Sequence, residues 1–212
     1  MSNNTNTVTV TITTSTGSPS TCVDGDGAQD YDVTLTVGDV SVEGEVTLCV
    51  DHEGNLSPWG SLDNWLSSSL CDVVRSLDRD DSAHSVERAR LIEAIVSACT
   101  GDSADVTVEI DCSSIALLAH QGATEEVNEM AQGEPDEDGV PVALTSEELY
   151  ATVARGYYAN DGAINAGAAD VDKVPEIFHA VYYAAWADAG LSVTRELAAD
   201  RALEESAVEA AQ

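Results

Sequence analysis

The chain has 212 residues, 43% of them hydrophobic, and sets 39 Asp and Glu against 8 Lys and Arg for a formal net charge of −31. That length and apolar content can build a core in one domain, or in one domain with a small appendage, which excludes a disordered acidic tail. The charge excludes recognition of nucleic acid or of an anionic membrane through a basic patch, because no Lys or Arg precedes Arg75 and Lys173 is the only lysine.

Residues 7–13, Thr-Val-Thr-Val-Thr-Ile-Thr, alternate at period two and predict a half-buried strand over about 7–14. A Gly/Ser/Pro/Thr segment at 15–21 reads as a break. Alternation resumes over about 30–37, and Gly38-Asp39 then reads as a hairpin turn into a strand over about 40–50, with Gly44 as a bulge. After Asp51–Gly60 the spacing of Leu62, Trp65, Leu66, Leu70, Val73, Val74 and Leu77 turns helical, predicting one helix over 61–78 with Ser61 placed to cap it. A second helix over 83–99 ends before Gly101. These two helices are expected to cover one face of the sheet.

A strand over 105–110 and helix over 113–131, broken or in two short pieces near Gln121-Gly122-Ala123, complete an α+β domain at 1–132. Residues 133–144, combining Gly, Pro and acids without a base, predict a linker. Beyond it, residues 145–212 predict a helical segment. Thr145 or Ser146 caps its start, a stripe runs from Val174 to Ala189 with Gly190 as a stop, and a last alanine-rich helix covers about 192–211. The expected architecture is α+β: a small antiparallel sheet covered by helices, followed by a C-terminal helical segment.

Asp24, Asp26, Asp30 and Asp32 fall within ten residues and invite a calcium reading. Against an EF-hand loop starting at Asp24, position 5 is Ala28, position 6 is Gln29 and position 12 is Leu35, so the template fails and only a looser acidic site is left. Cys49 and His52 form a single C-x-x-H pair, where strong zinc sites use two close pairs. Gly101-Asp102-Ser103 matches the opening letters of a hydrolase block but closes a helix, and no nucleophile elbow, Walker loop or H-E-x-x-H pair occurs. The expectation is therefore a non-enzymatic protein with no metal and no cofactor. Five cysteines, an odd and sparse set, predict reduced thiols.

Residues 1–132 hold 23 acids against 4 bases, and residues 133–212 hold 16 against 4, so the acidity belongs to the whole chain. Two readings explain it. In one, helical carboxylate pairs three or four residues apart, about 5–6 Å from one another, imitate phosphates. The residues that carry this reading are Glu125 with Glu129, the series Glu196, Asp200 and Glu204, and Glu205 with Glu209. The partner would be a basic, nucleic-acid-binding protein such as a restriction or CRISPR effector, with no direct contact to nucleic acid. In the other, the acidity keeps a protein of a halophile or its virus soluble in high salt, in a virion, assembly or other structural role. Tyr158 and Tyr183, off the main stripes of the C-terminal helices, are candidate anchors for a partner or for self-association. No apolar window is long enough for a membrane span and no basic-plus-apolar leader opens the chain, which predicts a cytoplasmic protein, in the host cytoplasm if phage-encoded, with a virion as the other setting.

Overall fold

A computed structural model describes residues 6–21, 27–77, 86–101, 105–133, 144–149, 151 and 171–210. The described chain divides into two compact units: the first runs to Ser114 and includes Pro175–Phe178, and the second takes the residues from Ile115 onward without those four. The expected linker lies outside the described residues apart from Gly133 and Leu144. The fold is α+β.

The first unit is built on a five-stranded antiparallel sheet of β1 (Thr7–Thr21), β2 (Gly27–Val37), β3 (Val40–Val50), β4 (Leu56–Ser57) and β5 (Asp105–Asp111), in the order β4-β3-β2-β1-β5. Period-two alternation puts Val10, Ile12, Val33, Leu35, Val46, Leu48 and Ile110 on one buried face. Each such side chain contributes about 1.5–3 kcal/mol by leaving water. β1 is longer than its alternating core: Ser15–Thr21 continues the strand instead of breaking it, with an irregularity between Thr16 and Pro19 that absorbs an extra residue. β5 pairs with Thr7–Thr13, so among the described residues Pro19 has a strand neighbour on the β2 side only, a position where a proline is tolerated.

The helices α1 (Leu62–Trp65), α2 (Ser68–Ser76) and α3 (Val86–Thr100) pack on the buried face, α2 against β3 and α3 against β1 and β5. The single helix expected over 61–78 is interrupted. Leu66 is extended at φ −111° and bridges to Val46, the Ser67 N–H donates to the Glu45 carbonyl at 2.9 Å, and the Glu45 N–H donates to Ser67 Oγ at 3.1 Å. The edge of β3 thus takes over backbone groups that a helix would have used. Ser61 stands at the start of α1 but makes no side-chain cap bond. The bulge expected at Gly44 is also absent, since the β2–β3 register runs unshifted through Val33 and Gly44. Gly44 serves close packing instead: a Cβ there would collide with Ser67 Oγ and lie 2.6 Å from Leu70 Cγ.

The opposite edge of the sheet is covered from α3. Glu87 Oε2 accepts the Asp111 N–H at 2.9 Å, and Arg90 Nη1 donates both to Glu87 Oε2 and to the Glu109 carbonyl at 3.2 Å. These bonds occupy backbone groups that would otherwise invite another strand.

In the second unit, α4 (Ser113–Gln132, its first two residues belonging to the first unit) runs unbroken through a buried Gly122. After a 3₁₀ turn at Val171–Lys173, and a second at Glu176–Phe178 that belongs to the first unit, α5 (His179–Ala210) runs 32 residues without the stop expected at Gly190. Gly190 is buried in the helix, and its carbonyl accepts the Thr194 hydroxyl at 2.6 Å. An isolated helical Gly costs about 1 kcal/mol relative to Ala, which the buried stripe of Tyr182, Trp186, Ala189 and Ala198 offsets. Among the described residues no helix is long and apolar enough to cross a membrane.

The reduced state expected of the cysteines fails at one position. Cys71, Cys99 and Cys112 are free and buried, but Cys49 is disulfide-bonded. Cys49 is paired with Ala28, at the end of the sheet where β1 stops at Thr21. Cys22 lies outside the described residues.

Candidate functional site: the open face of the sheet

The alternation that buries one face of the sheet gives the other mostly Thr, Ser, Asp and Glu, with the paired Ala28 and Cys49 at one end, where Ala28 is buried. The cross-strand register arranges the polar residues in rows. Asp105, Thr13, Thr34 and Glu43 form one row across β5, β1, β2 and β3, and Thr107, Thr11, Thr36 and Ser41 form the next. On one side of the first row, Ser15, Asp32 and Glu45 are aligned, followed by Asp30 and Thr47; on the other side Glu109 is paired with Thr9 and Asp111 with Thr7. Asp32, Glu43, Glu45, Asp105 and Glu109 are exposed. No strand contains a Lys or Arg.

The result is two carboxylate margins, one on β2 and β3 and one on β5, separated by the hydroxyl ladder of β1. At about 4.8 Å between strands, Asp105 and Glu43 stand about 14 Å apart in backbone terms. Carboxylates alternating along a strand repeat at about 6.8 Å. The hydroxyls are tied into the array: Asp30 Oδ1 accepts from Ser20 Oγ and from Thr47 Oγ1, each at 2.7 Å, and Thr36 and Ser41 share a 2.9 Å bond. Asp32 and Glu45 directly oppose each other with like charge, an arrangement that costs rather than stabilises.

The residues read as a loose metal set divide here. Asp24 and Asp26 lie outside the described residues, whereas Asp30 and Asp32 stand on the open face of β2. Among the described residues no group of three His, Cys, Asp or Glu side chains is placed to hold a metal ion. His52 is exposed and lies 3.8 Å from Glu53, and Cys49 carries its disulfide, so the C-x-x-H pair is not a thiolate site.

The helical carboxylates belong to the second unit and are exposed. Glu125 and Glu129 are one turn apart on α4, and Glu196, Asp200 and Glu204 follow one stripe of α5 at about 6 Å intervals. Glu205 is structural as well as acidic: it accepts from the Ser146 N–H and from Ser146 Oγ, both at 3.2 Å, at the start of a helical turn at 146–149. Thr145 caps that turn in a reciprocal box with Glu148, whose carboxyl is held below its usual range by the Thr145 N–H at 3.0 Å and the Thr145 hydroxyl at 2.9 Å. Glu204, Glu205 and Glu209 edge an open groove of about 440 Å³ with Leu144, Arg201 and Val208.

Tyr183 is half-buried, with its ring edge-on to His179 at 5.7 Å and to Tyr182 at 6.0 Å, so part of its surface is spent inside the unit. Tyr158 lies outside the described residues. Sequence spacing singled out the helical acids and missed Glu43, Glu45, Asp105, Glu109 and Asp111. Each occupies the polar parity of an alternating strand, a signal present in the sequence, but only strand order brings them onto one face. Compared with family models, with curated proteins and with solved structures, the chain has no match.

Proposed function

We propose that this chain is a non-enzymatic, strongly acidic interaction protein, most concretely a nucleic-acid mimic that blocks a basic nucleic-acid-binding protein such as a restriction or CRISPR effector. One observation carries the reading: an exposed sheet face with two carboxylate margins and no base on any of its strands. Margins about 10–14 Å apart are on the scale of the major groove of B-DNA, about 12 Å wide between phosphate backbones. Covered sheet edges support face-on docking over strand addition. A cationic cleft would also relieve the opposed charges of Asp32 and Glu45, and the field of the whole chain would speed the encounter.

The experiment is displacement of labelled duplex DNA from a basic DNA-binding protein by the full chain, in dilute buffer and in molar KCl. The reading predicts competition that falls steeply with salt, and that falls further in a Glu43→Gln, Glu45→Gln, Asp105→Asn variant. Absence of competition by a folded chain in dilute buffer would overturn it.

A second reading has its own support. Exposed carboxylates occur in both units and not on one cleft-sized patch, which suits a halophile or viral protein whose surface is adapted to salt and whose role is in a virion or assembly. It predicts a fold that is lost in dilute buffer and restored by multimolar KCl.

A further inference from the structure

The sequence Asn55-Leu56-Ser57 has the Asn-x-Ser form of an N-glycan acceptor, with Leu and not Pro at the middle position. The triplet begins at the end of an exposed loop. Asp51 organises that loop: its Oδ1 accepts the Glu53 and Asn55 N–H groups at 2.8 Å, its N–H donates to the Asn55 carbonyl at 2.8 Å, and Gly54 adopts φ +89°. Asn55 is exposed, and its Nδ2 donates to Asp51 Oδ2 at 3.2 Å, a long bond.

Independently, the triplet's last residue is joined to the oxidised cysteine. Ser57 in β4 is the strand partner of Cys49, which is disulfide-bonded. Disulfides form and persist on the oxidising side of a membrane, the side on which Asn-x-Ser/Thr acceptors are glycosylated. Two features of different chemistry therefore meet in one corner of the first unit and point to the same compartment.

We propose that Asn55 is an N-glycosylation site on a chain that matures in an oxidising compartment. The donor is a sugar chain activated by a polyprenyl phosphate or diphosphate. The Asn55 Nδ2–C1 bond forms as the C1–O bond to phosphate breaks, the electron pair leaves with the lipid phosphate, and one amide proton passes to a base of the transferase. Nothing is oxidised or reduced in the transfer. This inference does not rest on the mimic reading. It favours the salt-exposed alternative, because a glycan on a chain outside the cytoplasm meets external salt before any intracellular effector.

The test directs the full chain, behind a signal peptide, through the secretory pathway of a glycosylating cell alongside a control glycoprotein, followed by intact mass and a peptide map without reductant. Expected are a glycosylated chain, conversion of Asn55 to Asp by peptide-N-glycosidase, and Cys49 in a disulfide-linked peptide. A second triplet, Asn3-Asn4-Thr5, lies outside the described residues, so the map and not the mass assigns the site. Asn55→Gln and Ser57→Ala remove the modification from that peptide, and Ser57→Thr retains it. A secreted chain whose Asn55 peptide is bare while the control is glycosylated overturns the proposal, whether or not the disulfide forms. Loss of modification in Ser57→Thr would likewise count against it, since the acceptor chemistry is then intact.

Discussion

Asp32 of β2 lies directly opposite Glu45 of β3, both exposed on the open face of the sheet. Like charges in that relationship destabilise a strand pair by about 0.2–1 kcal/mol, and β1 offers only Ser15 beside them, its hydroxyl 3.4 Å from Asp32. Glu45→Lys turns the opposition into an attraction. In dilute buffer it is expected to raise the unfolding free energy by about 1 kcal/mol, and in 1 M KCl, where the Debye length is about 3 Å, the gain largely disappears. Denaturant titration of wild type and variant at the two salt concentrations measures the difference. A gain independent of salt would mean that the face is stabilised by something other than charge.

Gly44 makes a second prediction. It sits in register opposite Val33, and its missing Cβ makes room for Ser67 and Leu70 where the α1–α2 junction crosses β3. Gly44→Ala forces that junction away from the strand and puts at risk the bonds of the Ser67 N–H to the Glu45 carbonyl and of the Glu45 N–H to Ser67 Oγ. The expected loss is about 1–3 kcal/mol, the range for an overpacked interior. Ser67→Gly in the same chain removes one of the two clashing side chains together with the Oγ that accepts the Glu45 N–H, so it recovers only the clash part of the loss, as the midpoint of urea unfolding would report.

What the sequence made legible was whatever depends on local period. The alternation of Thr7–Thr13, the Gly38-Asp39 turn between the paired residues Val37 and Val40, and the stop of α3 at Gly101 all follow from local pattern. Non-local pairing was not legible. Leu66 continues the helical spacing of its neighbours, yet bridging to Val46 holds it extended; Pro19 looks like a breaker, yet β1 extends there past its pairing with β5. Gly190 carries a stop signal in the sequence, but burial on α5 overrides it. For the candidate site the limit is the same. The acidity of Glu43 and Asp105 was plain, but their place in one row depends on strand order.

Thr145 and Glu148 cap the turn at 146–149 by exchanging bonds, and these bonds hold the Glu148 carboxyl below its usual range. Asp51 is held low in the same direction, first by the Asn55 N–H. A carboxyl whose folded-state pKa is depressed adds stability above its unfolded pKa, and that contribution is lost as pH falls through the folded value. Both contributions are therefore present at neutral pH and disappear on acidification through and below the ordinary carboxylate range. Thr145→Ala removes the hydroxyl's part of the Glu148 share and leaves the larger part, from the Thr145 backbone N–H, so the stability difference between wild type and variant should narrow in part as pH falls. Thermal melts across an acid series would show it, and a constant difference would assign the loss to the hydroxyl's contact with the helix end alone.

The cysteines supply the last prediction. Burial pushes the Cys99 and Cys112 thiols up to about 12, Asp111 and Glu87 adding to the effect at Cys112, and burial together with Asp63 raises Cys71. Only a thiolate reacts readily, so at mildly alkaline pH all three should resist a water-soluble disulfide reagent while the chain is folded. Unfolding without reductant is expected to release three reactive thiols, the free set of Cys71, Cys99 and Cys112. Unfolding after reduction is expected to release five, the full cysteine count of the sequence. The increment of two measures the disulfide at Cys49, and Cys49→Ser should abolish it while leaving one additional thiol reactive without reductant. Five thiols on unfolding without reductant would instead mean that Cys49 is reduced in the isolated protein, and the oxidising compartment would lose its support.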